Sequence, residues 1–301
     1  MSDKKRAGGT VPREEYRAAC IEVIRLAGCA VNGRSPSPGY AGRIKEILDS
    51  GLLFNAAKRH MLTSAVATAL ESAGIYDRAF EEEKAKALRK SVLLEHDREE
   101  ITAEFEKQGI RHTPLKGTVL QYDYPSFGMR QMSDVDILID PDRAADARKI
   151  MESLGFTTDL YGVSEQDVYQ KPPVSNFELH RELFGDREER PVREYYADAA
   201  RLLIPVEGKS CEYRFSDRDF YVYITAHACK HFSNAGTGLR SLLDVYVFLR
   251  GHRDTVDLQN AESELDLLGI GDFAGTFRTL AFRLFEEPVE DDAFPENLSA
   301  E

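Results

Sequence analysis

Ser133-Asp134-Val135-Asp136-Ile137-Leu138-Ile139 sets two carboxylates two residues apart inside an apolar run. In a β-strand, residues i and i+2 project from the same face. Asp134 and Asp136 therefore share one face, and Val135, Ile137 and Ile139 take the other. Those three are β-branched, which suits a strand. Two like charges at the start of a buried strand repel each other. A divalent cation offsets that repulsion most simply, because hard cations such as Mg²⁺ bind one or two carboxylates together with substrate phosphates. The stretch thus predicts a strand and a candidate centre for metal-assisted chemistry on phosphates.

The flanking sequence predicts a small mixed unit around this strand. Residues 110–115 read as extended, and Gly117 opens a short helix. Tyr124-Pro125-Ser126-Phe127-Gly128 reads as a loop. Asp140 is placed to cap the next helix, residues 141–154, with Pro141 at its first position. Residues 156–161 and 175–180 read as further strands. Strand, helix, strand, strand with short connections is an α+β arrangement. Residues 181–216 read mainly as loop.

Helical periodicity dominates on either side. Before the strand it covers residues 14–27, a stretch through Ile44, Ile47, Leu48 and Leu52, residues 56–73 and residues 78–107, punctuated by Gly28, Gly33, Ser35 to Gly39 and Gly74. After it, residues 220–232, 239–250 and 273–285 are the main helices. The expected organisation is a disordered segment (1–12), an N-terminal helical region (13–108), a mixed core (109–215), a C-terminal helical domain (216–286) and an acidic flexible tail (287–301).

Bulk properties narrow the function. The 301-residue chain is long enough for two or three compact units. Its net charge of −13 disfavours a nucleic-acid partner, which needs a basic face. A few local cations and a metal can still receive a small anion. Cys20, Cys29, Cys211 and Cys229 form no CxxC and read as isolated thiols rather than as zinc ligands or a disulfide framework. No apolar run has membrane-spanning length, and no apolar segment follows the basic start as a signal peptide requires. A cytoplasmic, reduced protein is expected.

Residues around the two aspartates extend the chemistry. Lys116-Gly117-Thr118 falls at a strand-to-helix turn, where glycine lets backbone approach a ligand and free N–H groups face an anion. Lys116 adds a positive charge there. Arg130 can meet a phosphate through its planar fork. Glu178, in Asn176-Phe177-Glu178-Leu179-His180, can supply a third carboxylate, as a metal ligand or as a base toward an acceptor hydroxyl. Each element alone has an ordinary reading as cap, turn or solvated side chain; their order along the chain is what makes the set informative.

That ordered set resembles the uncharacterised nucleotidyltransferase family of the polymerase-β superfamily. The matching residues are Leu115 to Gly117, Tyr124-Pro125, Arg130 to Leu138, Gly155-Phe156 and Glu178 to His180. The resemblance implies a minimal nucleotidyltransferase core, a short mixed sheet with helices on one face and helical regions flanking it. It implies that Asp134, Asp136 and Glu178 are catalytic and hold Mg²⁺, two ions in the usual arrangement, with Mn²⁺ as a substitute. Gly117 and Thr118 stand where the superfamily has Gly-Gly or Gly-Ser against the triphosphate, although Thr departs from that pattern. The gap from Gly117 to Asp134 is also longer than in the tightest versions of the motif. Ser133, within the matched run, joins the nucleotide-binding set. A helical domain beside the sheet often holds base and triphosphate in such proteins, which makes Lys230, His231 and Arg240 candidates for nucleotide contact.

Within that second cluster, His227, Lys230 and His231 share one helix face, and Arg240 and Asp244 are spaced as a helix pair. The bland alternative is a hydrogen-bonded network. No Glu follows His227, so the zinc-protease pattern is absent. His60 reads as a packing residue. The leading expectation is Mg²⁺-dependent transfer of an NMP from an NTP such as ATP to a small-molecule or protein acceptor. The alternatives are a catalytically silent nucleotide-binding regulator and an Asp-x-Asp glycosyltransferase, which the Lys-Gly turn and the Glu-Leu-His strand fit poorly.

Overall fold

The computed structural model describes residues 13–49 and 51–286. The segments expected to be a disordered start and an acidic tail lie outside the described residues.

Five helices come first: α1 (Arg13–Val31), α2 (Pro38–Asp49), α3 (Leu52–Arg59), α4 (Thr63–Ser72) and α5 (Arg78–Gln108). Gly28 does not end α1. It lies inside the helix, on the side that packs against Phe285. The periodic stretch 56–73 is broken at His60-Met61-Leu62 into α3 and α4. Asp77 caps α5 by accepting from the amides of Ala79 and Phe80, and Gly109 ends it in the left-handed region with φ of 65°.

The central sheet follows: β1 (His112–Pro114), α6 (Gly117–Leu120), β2 (Val135–Ile139), α7 (Ala144–Ser153), β3 (Thr157–Leu160), β4 (Gln166–Lys171) and β5 (Ser175–His180). A short 3-10 turn, Pro141–Arg143, precedes α7. Asp140 makes no side-chain cap there and instead pairs with Arg111. Strand order is β1-β2-β5-β4-β3, with β2 and β5 parallel and the other pairs antiparallel. The region expected to be loop contains α8 (Arg190–Tyr196) and a hairpin of β6 (Leu203–Pro205) and β7 (Tyr213–Phe215). The chain closes with α9 (Asp217–Ala235), α10 (Leu239–Gly251), α11 (Leu258–Leu267) and α12 (Gly271–Phe285).

Two hydrophobic cores organise these elements. Val135, Ile137, Ile139, Phe177 and Leu179 point from one sheet face into a core with Leu94, Ile101 and Phe105 of α5 and Ala147 and Met151 of α7. The second core joins α1, α3 and α4 to α9, α10 and α12, so the helices before and after the sheet share one interior. Leu138, from the other sheet face, belongs to this second core. The face that carries Asp136 and Glu178 is thereby turned toward the helical body, with a cavity between them. Among the described residues no helix is long and apolar enough to cross a membrane.

Candidate active site

The strand register builds the site. Asp136 lies directly opposite Glu178 across the parallel β2–β5 pair, and Leu138 lies opposite His180. Facing residues on adjacent strands bring their side chains within contact range. One ligand atom from each of Asp136, Glu178 and His180 falls within 4.8 Å of the others, a spacing that suits a metal ion. Asp134 precedes β2, accepts a hydrogen bond from the Ser133 hydroxyl at 2.9 Å, and stays outside that cluster while lining the same cavity.

Burial and charge set these carboxyls apart. Burial would push Asp136 up, but the Lys116 ammonium and then His180 overcome it, and the carboxyl is held well below the usual range. Lys116 Nζ and His180 Nε2 each lie 2.7 Å from Asp136 Oδ1. Glu178 shifts the opposite way, pushed up to about 7 by burial first and then by the charges of Asp136 and Asp134. Its Oε2 accepts from Gln166 Nε2 at 2.5 Å. Lys116 itself sits at φ 46° and ψ −120°, a strained conformation for a residue with a Cβ. The turn thus stores strain where it delivers a cation to Asp136.

The cavity has a volume of about 560 Å³ and lies between this sheet face and helices α9 and α10. Lys116, Gly117, Arg130, Ser133, Asp134, Asp136, Glu178, Lys230, His231 and Arg240 all line it. Thr118 does not; it is buried and its hydroxyl has no hydrogen-bond partner among the described residues. Arg130 reaches the wall with its guanidinium engaged. Nε and Nη2 each donate to Asp244 at 2.8 Å, and Nη1 lies 3.1 Å from Met132 Sδ. Asp244 also accepts from the Tyr124 hydroxyl. The helix pair expected between Arg240 and Asp244 gives way to this long-range one.

Lys230 pairs with Glu188 at 2.7 Å. Arg240 donates to the Gln131 carbonyl at 2.8 Å and makes no ion pair among the described residues. Burial, then the neighbouring Arg130, depresses its pKa. His231 and His227 approach at 3.2 Å between Nε2 atoms, and burial, then Lys116, depresses both imidazoles. They enter the site as neutral groups. His60 turns its Nδ1 to the amide of Leu239 at 3.3 Å and so caps the start of α10. Met61, next to it, touches Arg240 through its sulfur.

Residues beyond the sequence expectation also meet here. His180 was visible as the i+2 partner of Glu178, by the same alternation that paired the aspartates. Glu165 and Gln166 line the cavity from the start of β4, a polar strand that its composition conceals. Lys90 of α5 donates to the Ser133 carbonyl at 2.7 Å, which steadies the segment carrying Asp134.

The uncharacterised nucleotidyltransferase family matches residues 48–286, from the end of α2 through the whole sheet and cavity to the end of α12. Among solved structures, an antigenic nucleotidyltransferase-like protein from Paracoccidioides brasiliensis is similar at 15% identity. The alignment covers 68% of this chain and 98% of that one, with a TM-score of 0.34. No curated protein matches the chain. With the match running through most of its length, the chain belongs to the uncharacterised nucleotidyltransferase family.

Proposed function

We propose that the cavity is the active site of a Mg²⁺-dependent nucleotidyltransferase that moves an NMP from an NTP to a hydroxyl or phosphate of a small-molecule or protein acceptor. The observation that carries this reading is the Asp136–Glu178 pair on adjacent parallel strands, facing a wall that bears Lys116, Lys230 and Arg240. The carboxylates suit a hard divalent cation. Glu178, pushed up to about 7 by burial and by the neighbouring aspartates, is a carboxyl whose charge lacks compensation, and a cation would supply it. Asp136 and Glu178 would hold the metal, with Asp134 completing the oxygen set. When bound, Mg²⁺ stabilises charge on the attacking and leaving oxygens.

The chain's own groups then divide the remaining work. Arg240, outside any ion pair among the described residues, takes the phosphate tail. Lys116 offsets charge as the acceptor oxygen bonds to the α-phosphorus and the bond to pyrophosphate breaks. A Glu178 that does not hold the metal would instead receive the acceptor's proton, as a carboxyl with a pKa near neutrality can. Arg130, held by Asp244, fixes α10 against the sheet so that Arg240 keeps its place. ATP is the first NTP to test.

The test is pyrophosphate release from each NTP with Mg²⁺, against pools of hydroxylated metabolites and proteins. Asp134→Asn with Asp136→Asn should abolish it. Release that persists in the double variant overturns the assignment. NTP binding by calorimetry without any release would instead identify a nucleotide-responsive regulator.

A further inference from the structure

Both nitrogen donors that reach Asp136 land on the same oxygen. Lys116 Nζ and His180 Nε2 lie 2.7 Å from Oδ1, and neither engages Oδ2. A carboxylate oxygen with two short charge-assisted contacts is well satisfied. His180 sits one step along β5 from Glu178 and diagonal to Asp136, and it is almost fully buried. It is close enough to Asp136 and Glu178 to be counted as a third metal ligand. The contact it makes is of another kind: Nε2 lies at hydrogen-bond distance from the oxygen that Lys116 also holds, so Nζ and Nε2 are both spent on Oδ1. The other nitrogen, Nδ1, points away by ring geometry and is buried.

We propose that His180 is a positioning residue of the centre and not a ligand: with Lys116 it holds Oδ1 of Asp136 and leaves Oδ2 as the oxygen that meets the metal. This rests on the metal reading of the site given above. Fixing the unused oxygen of a ligating carboxylate is how outer groups orient ligands and tune affinity. It also explains why a buried histidine occupies the i+2 position after Glu178. A purely apolar residue there would leave Lys116 alone to orient Asp136, and Lys116 already holds a strained backbone.

Manganese binding to the full chain tests this, with Mn²⁺ alone as the probe. Free Mn²⁺ is counted by electron paramagnetic resonance, and nitrogen coupling is read by electron spin-echo modulation. The parent should bind, and Asp136→Asn should lose binding. A parent that does not bind, or an Asp136→Asn chain that binds equally, overturns the metal reading and this proposal with it. Once that reading holds, His180→Gln, which keeps an N–H donor near the Nε2 position, should bind within about threefold of the parent and give the same nitrogen modulation. His180→Leu should weaken binding by about 10–100-fold, the usual cost of losing an outer-shell partner. Imidazole modulation present in the parent and lost in His180→Gln would make His180 a ligand and overturn the proposal, as would parental affinity in His180→Leu. Circular dichroism monitors folding, and if His180→Leu does not fold, the parent and His180→Gln spectra still decide.

Discussion

Gly117 sits so close to Arg130 that a Cβ on it would collide with the guanidinium. The tip of a long side chain can normally step aside. This one cannot do so cheaply, because it forms a two-pronged pair with Asp244, and both residues are buried. Breaking a buried ion pair strands a charge and costs about 3 kcal/mol or more. Gly117→Ala should therefore lower the thermal midpoint about as much as Asp244→Asn does. Because both changes damage one contact, the double variant should lose little beyond either single one. Full additivity in the melting data would mean that the glycine serves something other than the Arg130 clamp.

At the scale of elements, His252 ties three of them together. Its Nε2 lies 3.0 Å from Asp123, after α6, and its Nδ1 3.1 Å from Asp217, at the start of α9, while the ring itself follows α10. Burial disfavours the imidazolium, yet the hydrogen bonds to Asp123 and Asp217 outweigh it and raise the pKa. A group whose pKa is raised on folding stabilises fully below its unfolded value, and that contribution fades as pH rises through the folded value. Removing it with His252→Gln should cost on the order of 2 kcal/mol at pH 6. The gap to the parent should narrow steadily toward alkaline pH. Melting curves across pH check this, and a gap that widens with rising pH would rule out the charged latch.

Such a latch shows what local sequence can and cannot convey. The alternation in Ser133 to Ile139 and in Asn176 to His180 made both central strands legible, because side-chain period is fixed by the backbone. The helices of 13–108 were legible for the same reason, apart from the break at His60 to Leu62. Strand β4 escaped because its buried Asp167 and Tyr169 look polar in sequence. Helix α11 escaped because it buries only Ala261 and Leu265. At the site, Asp136 and Glu178 followed from strand periodicity and resemblance. Arg130–Asp244, Lys230–Glu188 and His60–Leu239 could not follow, since pairs separated by tens to hundreds of residues leave no periodic trace.

For the whole molecule, the decisive junction is between the first helix and the last. Asn32, just past α1, donates to the Phe285 carbonyl at 2.7 Å and the Gly28 carbonyl at 2.8 Å. Its carbonyl oxygen accepts from the Tyr246 hydroxyl at 2.7 Å and Arg250 Nη1 at 2.5 Å. One amide thus binds α1 to α10 and α12. Helix α10 carries Arg240 into the cavity, so this distant junction bears on the geometry of the site. Removing an amide whose partners are partly buried leaves several polar groups unpaired, at about 1–3 kcal/mol each where water cannot replace it. Asn32→Ala should lower stability by about 2–4 kcal/mol on that basis. Because the helices before and after the sheet share one core, amide exchange should accelerate in α1 and α12 together. Acceleration confined to α1 would show that the two ends of the chain unfold independently. Joint acceleration would mean that the cavity is held open by a body built from both ends of the sequence, with the sheet inserted between them.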